Sequence, residues 1–289
     1  MLWPEDASSR ELSVTSADGV VTSLGRIDVV FPILHGRYGE DGTVQGLFEL
    51  AGLPYVGSGV LASSVSMDKH FTKTVLQHAG IAVAPWATVS ASGFRADPAA
   101  AHRSADDLGY PVFVKPARAG SSVGVAKVSE PSSLDAAIAE ALTHDDRVLI
   151  ESTVLGREVE IAVLEGRDGA APRTSVAGEI VVSGRGFYDF EAKYLDAPGI
   201  DLVCPAALSE EELAEMSRIA AAVFESVGAE GLARVDFFLT DDGFVVNELN
   251  TLPGFTPISM FPKCWLASGL AYPDLITELL ELAAARGAR

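Results

Sequence analysis

Apolar and polar positions alternate along parts of this chain and fall at helical spacing along others. Glu158–Leu164 reads acid, apolar, acid, apolar, which predicts a strand with one wet and one buried face. Apolar runs predict further strands at Ile27–Leu34, Leu53–Val56, Val112–Lys115, Val125–Val128, Arg147–Glu151 and Ala177–Val182. Towards the end, Gly231–Thr240 and Phe244–Leu249 flank Asp241-Asp242-Gly243, a hairpin-type turn. Helices are expected over Val44–Ala51, from near Leu61 to near Gly80, and over Ser133–Leu142 and Tyr272–Ala285. Ser209 and Glu212 form a capping box that opens another, running to near Val227, with Leu213, Met216, Ile219 and Val223 on its apolar stripe. Residues 1–25 carry no clear period. Strand–helix alternation combined with hairpins predicts an α/β chain built on mixed sheets rather than on one doubly wound sheet.

Composition narrows the function. The chain has 289 residues, 48% of them apolar, which suits sizeable cores and excludes a disordered polymer. Its net charge of −19 repels phosphate backbones and anionic lipid, so neither nucleic acid nor membrane is an expected partner. A small anionic ligand requires a locally basic pocket. Cys204 and Cys264 are far apart in sequence and outside any Cys-x-x-Cys pair, which reads as two reduced cytosolic thiols. Met1–Leu12 lacks the basic and apolar regions of a signal peptide, and Leu50–Met67, with Pro54, reads as loop and helix start rather than a span. The cytoplasm is the expected location.

Several constellations carry chemistry. Arg234 and Asp236 share one face of a strand, and Glu248 and Asn250 share a face of its hairpin neighbour. Carboxylate and amide oxygens of this kind suit Mg²⁺ when phosphates complete its shell, and Arg234 suits a developing anion. A surface cross-strand ion pair with a solvated Asn is the alternative. Lys115 precedes Ala119-Gly-Ser-Ser-Val-Gly124, whose backbone N–H groups and hydroxyls can approach phosphate, or which forms an ordinary turn. Phe187-Tyr-Asp-Phe-Glu-Ala-Lys-Tyr194 mixes aromatics, acids and a lysine in one loop. His35 lies in a Gly-rich loop after a predicted strand, and Thr251–Ser259 is an irregular loop directly after the acidic strand.

Taken in order, five blocks resemble the D-alanine–D-alanine ligases of the ATP-grasp superfamily. They are His35-Gly-x-x-Gly-Glu-Asp-Gly42, Lys115-Pro-x-Arg-x-Gly-Ser-Ser-x-Gly124, Tyr188-Asp-Phe-Glu-Ala-Lys-Tyr194, Arg234-Val-Asp236 and Asn247-Glu-Leu-Asn-Thr-x-Pro-Gly254, and the resemblance covers residue 27 onwards. It implies a partial, Rossmann-like N-terminal α/β domain over 1–68, a central ATP-grasp subdomain over 69–158 and a C-terminal subdomain over 159–289, with ATP between the last two. Lys69, Lys115 and Lys193 would contact phosphates. Glu151 and the backbone to Val154 would read adenine, Phe187 would pack beside it and Glu158 would hold ribose. Asp236, Glu248 and Asn250 would hold two Mg²⁺ (or Mn²⁺) ions. Arg234 and the Gly254 N–H would stabilise the oxyanion, Ser259 and Met260 would hold the second D-alanine, and His35 would sit beside the first. Ser121 and Tyr194 would tie down a lid. Tyr194 favours two D-alanines over D-alanine with D-lactate, while a D-serine or D-lactate ligase and a non-catalytic MgATP-binding remnant remain alternatives.

The same resemblance implies a strand, a Gly-Gly-x-Ser turn and a helix with His-Glu-Val-Ser before residue 27. None is in this sequence, so the N-terminal domain is expected to be truncated and the chain to bind MgATP while making little dipeptide. A homodimer is expected where that domain is complete.

Overall fold

A computed structural model describes residues 9–120, 122–182, 200–256 and 258–287. Its centre is an antiparallel five-stranded sheet. The strands are β7 (Arg157–Leu164), β8 (Arg173–Val182), β9 (Ile200–Val203), β10 (Leu232–Thr240) and β11 (Gly243–Asn250), in the order β11-β10-β7-β8-β9. Period-two alternation gives each face its own cover. Val159, Ile161, Val163, Val235 and Phe237 point to α7 (Glu210–Ser226), which meets them with Met216, Ala220, Val223 and Phe224. Ala162, Leu164 and Leu232 point the other way, onto α8 (Met260–Ala267) and α9 (Tyr272–Arg286) through Phe261, Trp265, Leu275 and Leu279. The predicted capping box at the start of α7 forms, with Ser209 Oγ accepting from Glu212 N–H and Glu212 accepting from Ser209 N–H.

A second antiparallel sheet holds β3 (Trp86–Ser90), β4 (Val112–Pro116), β5 (Ala126–Val128) and β6 (Arg147–Ser152), in the order β3-β6-β4-β5. Val112, Val114, Val148 and Ile150 bury one of its faces against α4 (Ala91–Ala96), α5 (Pro98–Leu108) and α6 (Leu134–His144). Phe113, Lys115 and Glu151 therefore face the opposite way, towards the first sheet.

Three expectations are corrected in the N-terminal part. Residues 1–25, read as aperiodic, hold a hairpin of β1 (Glu11–Thr15) and β2 (Val21–Arg26). Ile27–Leu34 and Leu53–Val56 do not become strands; they meet in a single parallel bridge, Val30 to Tyr55. Pro32 has no N–H to give a ladder, and Ile33 and Leu34 are exposed. The single helix expected from Leu61 to Gly80 is two, α2 (Val60–Met67) and α3 (Lys69–His78). Asp68 breaks it: its backbone is extended, and its carboxylate caps α3 by accepting from the N–H groups of His70 and Phe71. Helix α1 (Thr43–Leu50) forms as predicted. The N-terminal segment sits directly on β10, where a Cβ on Gly231 (φ +69°) would lie 3.0 Å from the backbone N of Gly57. Gly231 is required by that approach, and Gly57 by its own φ of +103°.

The two cysteines, distant in sequence, are neighbours in the fold: both are free, and their sulfurs lie 3.6 Å apart, joining the end of β9 to α8. No described helix is long and apolar enough to cross a membrane. The sheet depends on Phe237, which is 1% exposed and meets Phe244 edge-on at 5.7 Å. Phe237→Ala is expected to cost about 3–5 kcal/mol in denaturant unfolding. A loss under 1 kcal/mol would show that the core can collapse around the gap.

Candidate active site

The acidic hairpin is built by register. Arg234 pairs with Asn250 and Asp236 with Glu248, so all four side chains share one face, as the spacing predicts. Strand β7 adds a residue that sequence reasoning missed. Glu160 lies opposite Asp236, and a row of three acids, Glu160, Asp236 and Glu248, crosses three adjacent strands. Arg234 answers it. Its Nε and Nη2 each lie 2.7 Å from an oxygen of Asp236, and its Nε is 3.0 Å from Glu160. Asn250 Nδ2 donates to Asp236 at 3.0 Å. Burial opposes the Arg234 charge, but Asp236 and Glu160 outweigh it and hold the guanidinium well above its usual range. This is a buried network and not the surface ion pair that the sequence left open, since Asp236 is only 7% exposed.

A β-bulge sharpens the arrangement. The ladder slips between Asp236 and Phe237, so that Phe237 pairs with Val246 while Asp236 pairs with Glu248. Asn247 is the extra residue, and a bulge turns two consecutive side chains to one side. Accordingly Asn247 and Glu248 both line three adjoining cavities, of about 290, 50 and 20 Å³. Asn247 opens one of the five motifs but was given no role there, although the sequence carries a sign of the bulge. Phe244 and Val246 are two apart and Leu249 is three further, yet all three join the same core.

The largest cavity lies between the two sheets. Lys69, Lys115, Glu151, Val154, Glu158, Asn247 and Glu248 line it. Lys69 opens α3, with its Nζ donating to the Ala119 carbonyl at 2.6 Å. Lys115 Nζ donates to Glu151 Oε1 at 2.5 Å. Although burial alone would push its carboxyl up, Lys115 and Lys73 hold Glu151 below the usual carboxylate range. The chain is strongly acidic, so this cluster of cations supplies the locally basic pocket that an anionic ligand demands.

Among the described residues, His35, Gly254, Ser259 and Met260 do not line these cavities. His35 Nδ1 is 3.1 Å from the Leu252 carbonyl, on the loop that leaves β11. A Cβ on Gly254 would lie 2.7 Å from Ser259 Oγ, which in turn accepts from Thr256 N–H at 3.0 Å. Met260 begins α8, buried against Gly178. Ser121, Phe187, Lys193 and Tyr194 lie outside the described residues.

Glu40, at the end of the His35 loop, lines the second cavity with Lys69, Lys73, Glu248 and Asn250. Its carboxylate accepts from Gly36 N–H, yet burial, followed by the nearby Glu248 charge, pushes its pKa from 4.5 up to about 7. The folded chain therefore keeps a proton there that the unfolded chain has released. Stability should fall as pH rises from 4.5 through 7, by about 3 kcal/mol at most for a shift of this size. Glu40→Gln is expected to flatten that slope in urea unfolding across pH 4.5–8. Parallel curves for the two proteins would remove Glu40 as its source.

The donor chemistry fits a nucleotide with divalent metal. Among the described residues no group of three His, Cys, Asp or Glu side chains could hold a metal ion. Asp236, Glu248 and the Asn250 amide provide hard oxygens for part of a shell, the share a protein gives Mg²⁺ when phosphates provide the rest. Two antiparallel sheets, closing on a lysine-lined cavity that meets the acid row at Glu248, define an ATP-grasp fold.

Comparison with known proteins makes the assignment specific. Residues 75–281 match the family described as D-ala D-ala ligase C-terminus and residues 4–58 that described as D-ala D-ala ligase N-terminus. The similarity thus begins well before residue 27, where the motifs alone had placed it. The chain is 54% identical over 282 residues to the D-alanine–D-alanine ligase of Pseudarthrobacter chlorophenolicus, covering 96% of this chain and 74% of that protein. Against the Streptomyces avermitilis D-alanine–D-alanine ligase it is 50% identical over 293 residues, covering 99% and 75%. Among solved structures, the Coxiella burnetii D-alanine-D-alanine ligase superposes with a TM-score of 0.77 at 40% identity, over 91% of this chain and 69% of that one. The VanG D-Ala:D-Ser ligase of Enterococcus faecalis gives 0.81 at 38%, over 94% and 79%. The chain belongs to the D-alanine–D-alanine ligase family.

Proposed function

We propose that this chain joins two D-alanines into D-alanyl-D-alanine at the expense of ATP, through an acyl-phosphate intermediate, and so supplies a peptidoglycan precursor in the cytoplasm. One observation carries the reading within this family: the Arg234, Asp236, Glu248 and Asn250 face adjoins a cavity lined by Lys69, Lys115 and Glu151. The carboxylate of one D-alanine attacks the γ-phosphate and displaces ADP; the neutral amine of the second then attacks the resulting acyl carbon, gives up a proton and displaces inorganic phosphate. Arg234, with the Gly254 N–H, is aimed at the oxyanion of that second step. Its bonds to Asp236 and Glu160 fix the guanidinium before substrate arrives, and leave its Nη1 edge unused by them.

Around that centre Lys69, Lys115 and Lys193 neutralise phosphate, while the backbone from Glu151 to Val154, with Phe187, flanks adenine and Glu158 takes ribose. Asp236, Glu248 and Asn250 would hold two Mg²⁺ or Mn²⁺ ions, which shield phosphate charge when bound. His35 borders the first D-alanine, Ser259 and Met260 the second, and Ser121 with Tyr194 secures the lid. The division into 1–68, 69–158 and 159–289, and a homodimer where the N-terminal domain is complete, belong to the same reading.

The similarity to a D-Ala:D-Ser ligase supports one second reading, in which D-serine replaces the second D-alanine. The test is phosphate release from MgATP with D-alanine alone, with added D-serine and with added D-lactate, the products identified by mass. D-Alanyl-D-alanine as the main product is expected, in place of the weak turnover anticipated from the absent N-terminal motifs, because residues 4–58 match the family's N-terminal model. ATP bound without phosphate release in any mixture would replace the ligase reading with that of a nucleotide-binding remnant.

A further inference from the structure

Lys73 lines the second cavity, and the proposed reaction gives it no task. It sits one turn along α3 from Lys69, and its side chain is 4% exposed. Its Nζ lies 2.9 Å from Glu151 Oε2, 3.3 Å from the Ala84 carbonyl and 5.7 Å from the centre of the Trp86 ring. The other oxygen of Glu151 belongs to Lys115, at 2.5 Å. The Glu151 side chain is itself 4% exposed. One buried carboxylate thus holds two ammonium groups, one on each oxygen. Lys115, 14% exposed, lines the largest cavity together with Glu151, whereas Lys73, 4% exposed, reaches only the smaller one beside it.

We propose that Lys73 is a positioning residue for the nucleotide's phosphates: it keeps Glu151 paired, so that Lys115 can leave that carboxylate for a polyphosphate without stranding a buried charge. The inference rests on the ATP reading above. Its physical basis is the asymmetry of buried ion pairs, in which losing one partner of a pair costs far more than losing both. With Lys73 present, two cations share one anion, and the excess charge faces the cavity. Without it, Lys115 becomes the sole counter-ion of Glu151 and resists transfer to phosphate. Burial holds the Lys73 pKa below its ordinary value, the Lys115 and Lys69 charges add to that, and Glu151 opposes it, so the ammonium depends on that carboxylate.

The test uses the whole chain and calorimetric binding of two probes, MgATP and adenosine, the second having no phosphate. Lys73→Met should weaken MgATP about 10- to 100-fold, a part of the cost of breaking a buried pair, and leave adenosine within about twofold. Lys73→Arg should recover most of the loss. In a Glu151→Gln background, adding Lys73→Met should cost less than about threefold, because no carboxylate remains to be stranded. That double variant also keeps the test open if Lys73→Met alone does not fold. Equal losses for ATP and adenosine, no loss for either, or the full loss persisting beside Glu151→Gln would overturn the inference. Wild-type chain that binds neither probe would overturn the nucleotide reading itself, whereas ATP bound equally by wild type and Lys73→Met overturns the role of Lys73 alone.

Discussion

Arg234→Ala is expected to lower kcat by about 10²–10³ and also to destabilise the chain by about 3–5 kcal/mol near pH 8. The two effects have one origin. The guanidinium is the counter-charge of Asp236 and Glu160, both of them buried, and it lies close enough to Glu248 to feel that charge too. Alanine leaves a row of carboxylates across β7, β10 and β11 without it, in a place where water cannot fully replace the lost bonds. Arg234→Lys retains charge but not the forked geometry, so it should recover most of the stability and little of the rate. Denaturant unfolding, beside single-turnover phosphate release, separates these effects. A large loss of ATP affinity with turnover intact would move Arg234 from the reacting carbonyl to the nucleotide.

Glu248→Gln should do the opposite to stability and worse to activity. Its carboxylate faces Asp236 across the hairpin and adds to the charge that raises Glu40. Removing one negative charge from that row relieves repulsion, so the fold should be unharmed or gain up to about 1 kcal/mol. The oxygen donors for divalent metal fall from two carboxylates to one, and ADP formation should drop by about 10³ or more. Glu40 should then titrate nearer the ordinary carboxylate range. Mg²⁺-dependent ATP turnover, measured with D-alanine and set against thermal melting of the same sample, gives both readouts. Unchanged turnover would end the metal assignment.

Much of the site was legible in sequence because strands have a strict period. Residues i and i+2 of a strand share a face whatever the rest of the fold does, so spacing alone pairs Arg234 with Asp236 and Glu248 with Asn250. The capping box was equally local, since Ser209 and Glu212 satisfy one another's backbone within one turn. Local rules failed where an unrecognised cap intervened. Helical spacing ran unbroken from Leu61 to Gly80, but Asp68 gains more as a cap than as an interior residue, and two helices result.

The chain alone therefore determined the period of its elements, the shared face of the acidic hairpin, and, through five ordered motifs, the family. Tertiary structure decided which residues complete the site. Glu160 enters because β7 lies beside β10, Lys73 because α3 packs next to β6, and Asn247 because a bulge relieves a conflict between two apolar spacings. Cys204 and Cys264 meet because β9 is set against α8. Each of these depends on a neighbour distant in sequence, and short-range periodicity holds no information about which distant neighbour a face will meet. Burial then sets the charge states, since a carboxylate such as Glu40 or Glu151 is shifted by the water it loses and the charges beside it, and neither is written in its own segment.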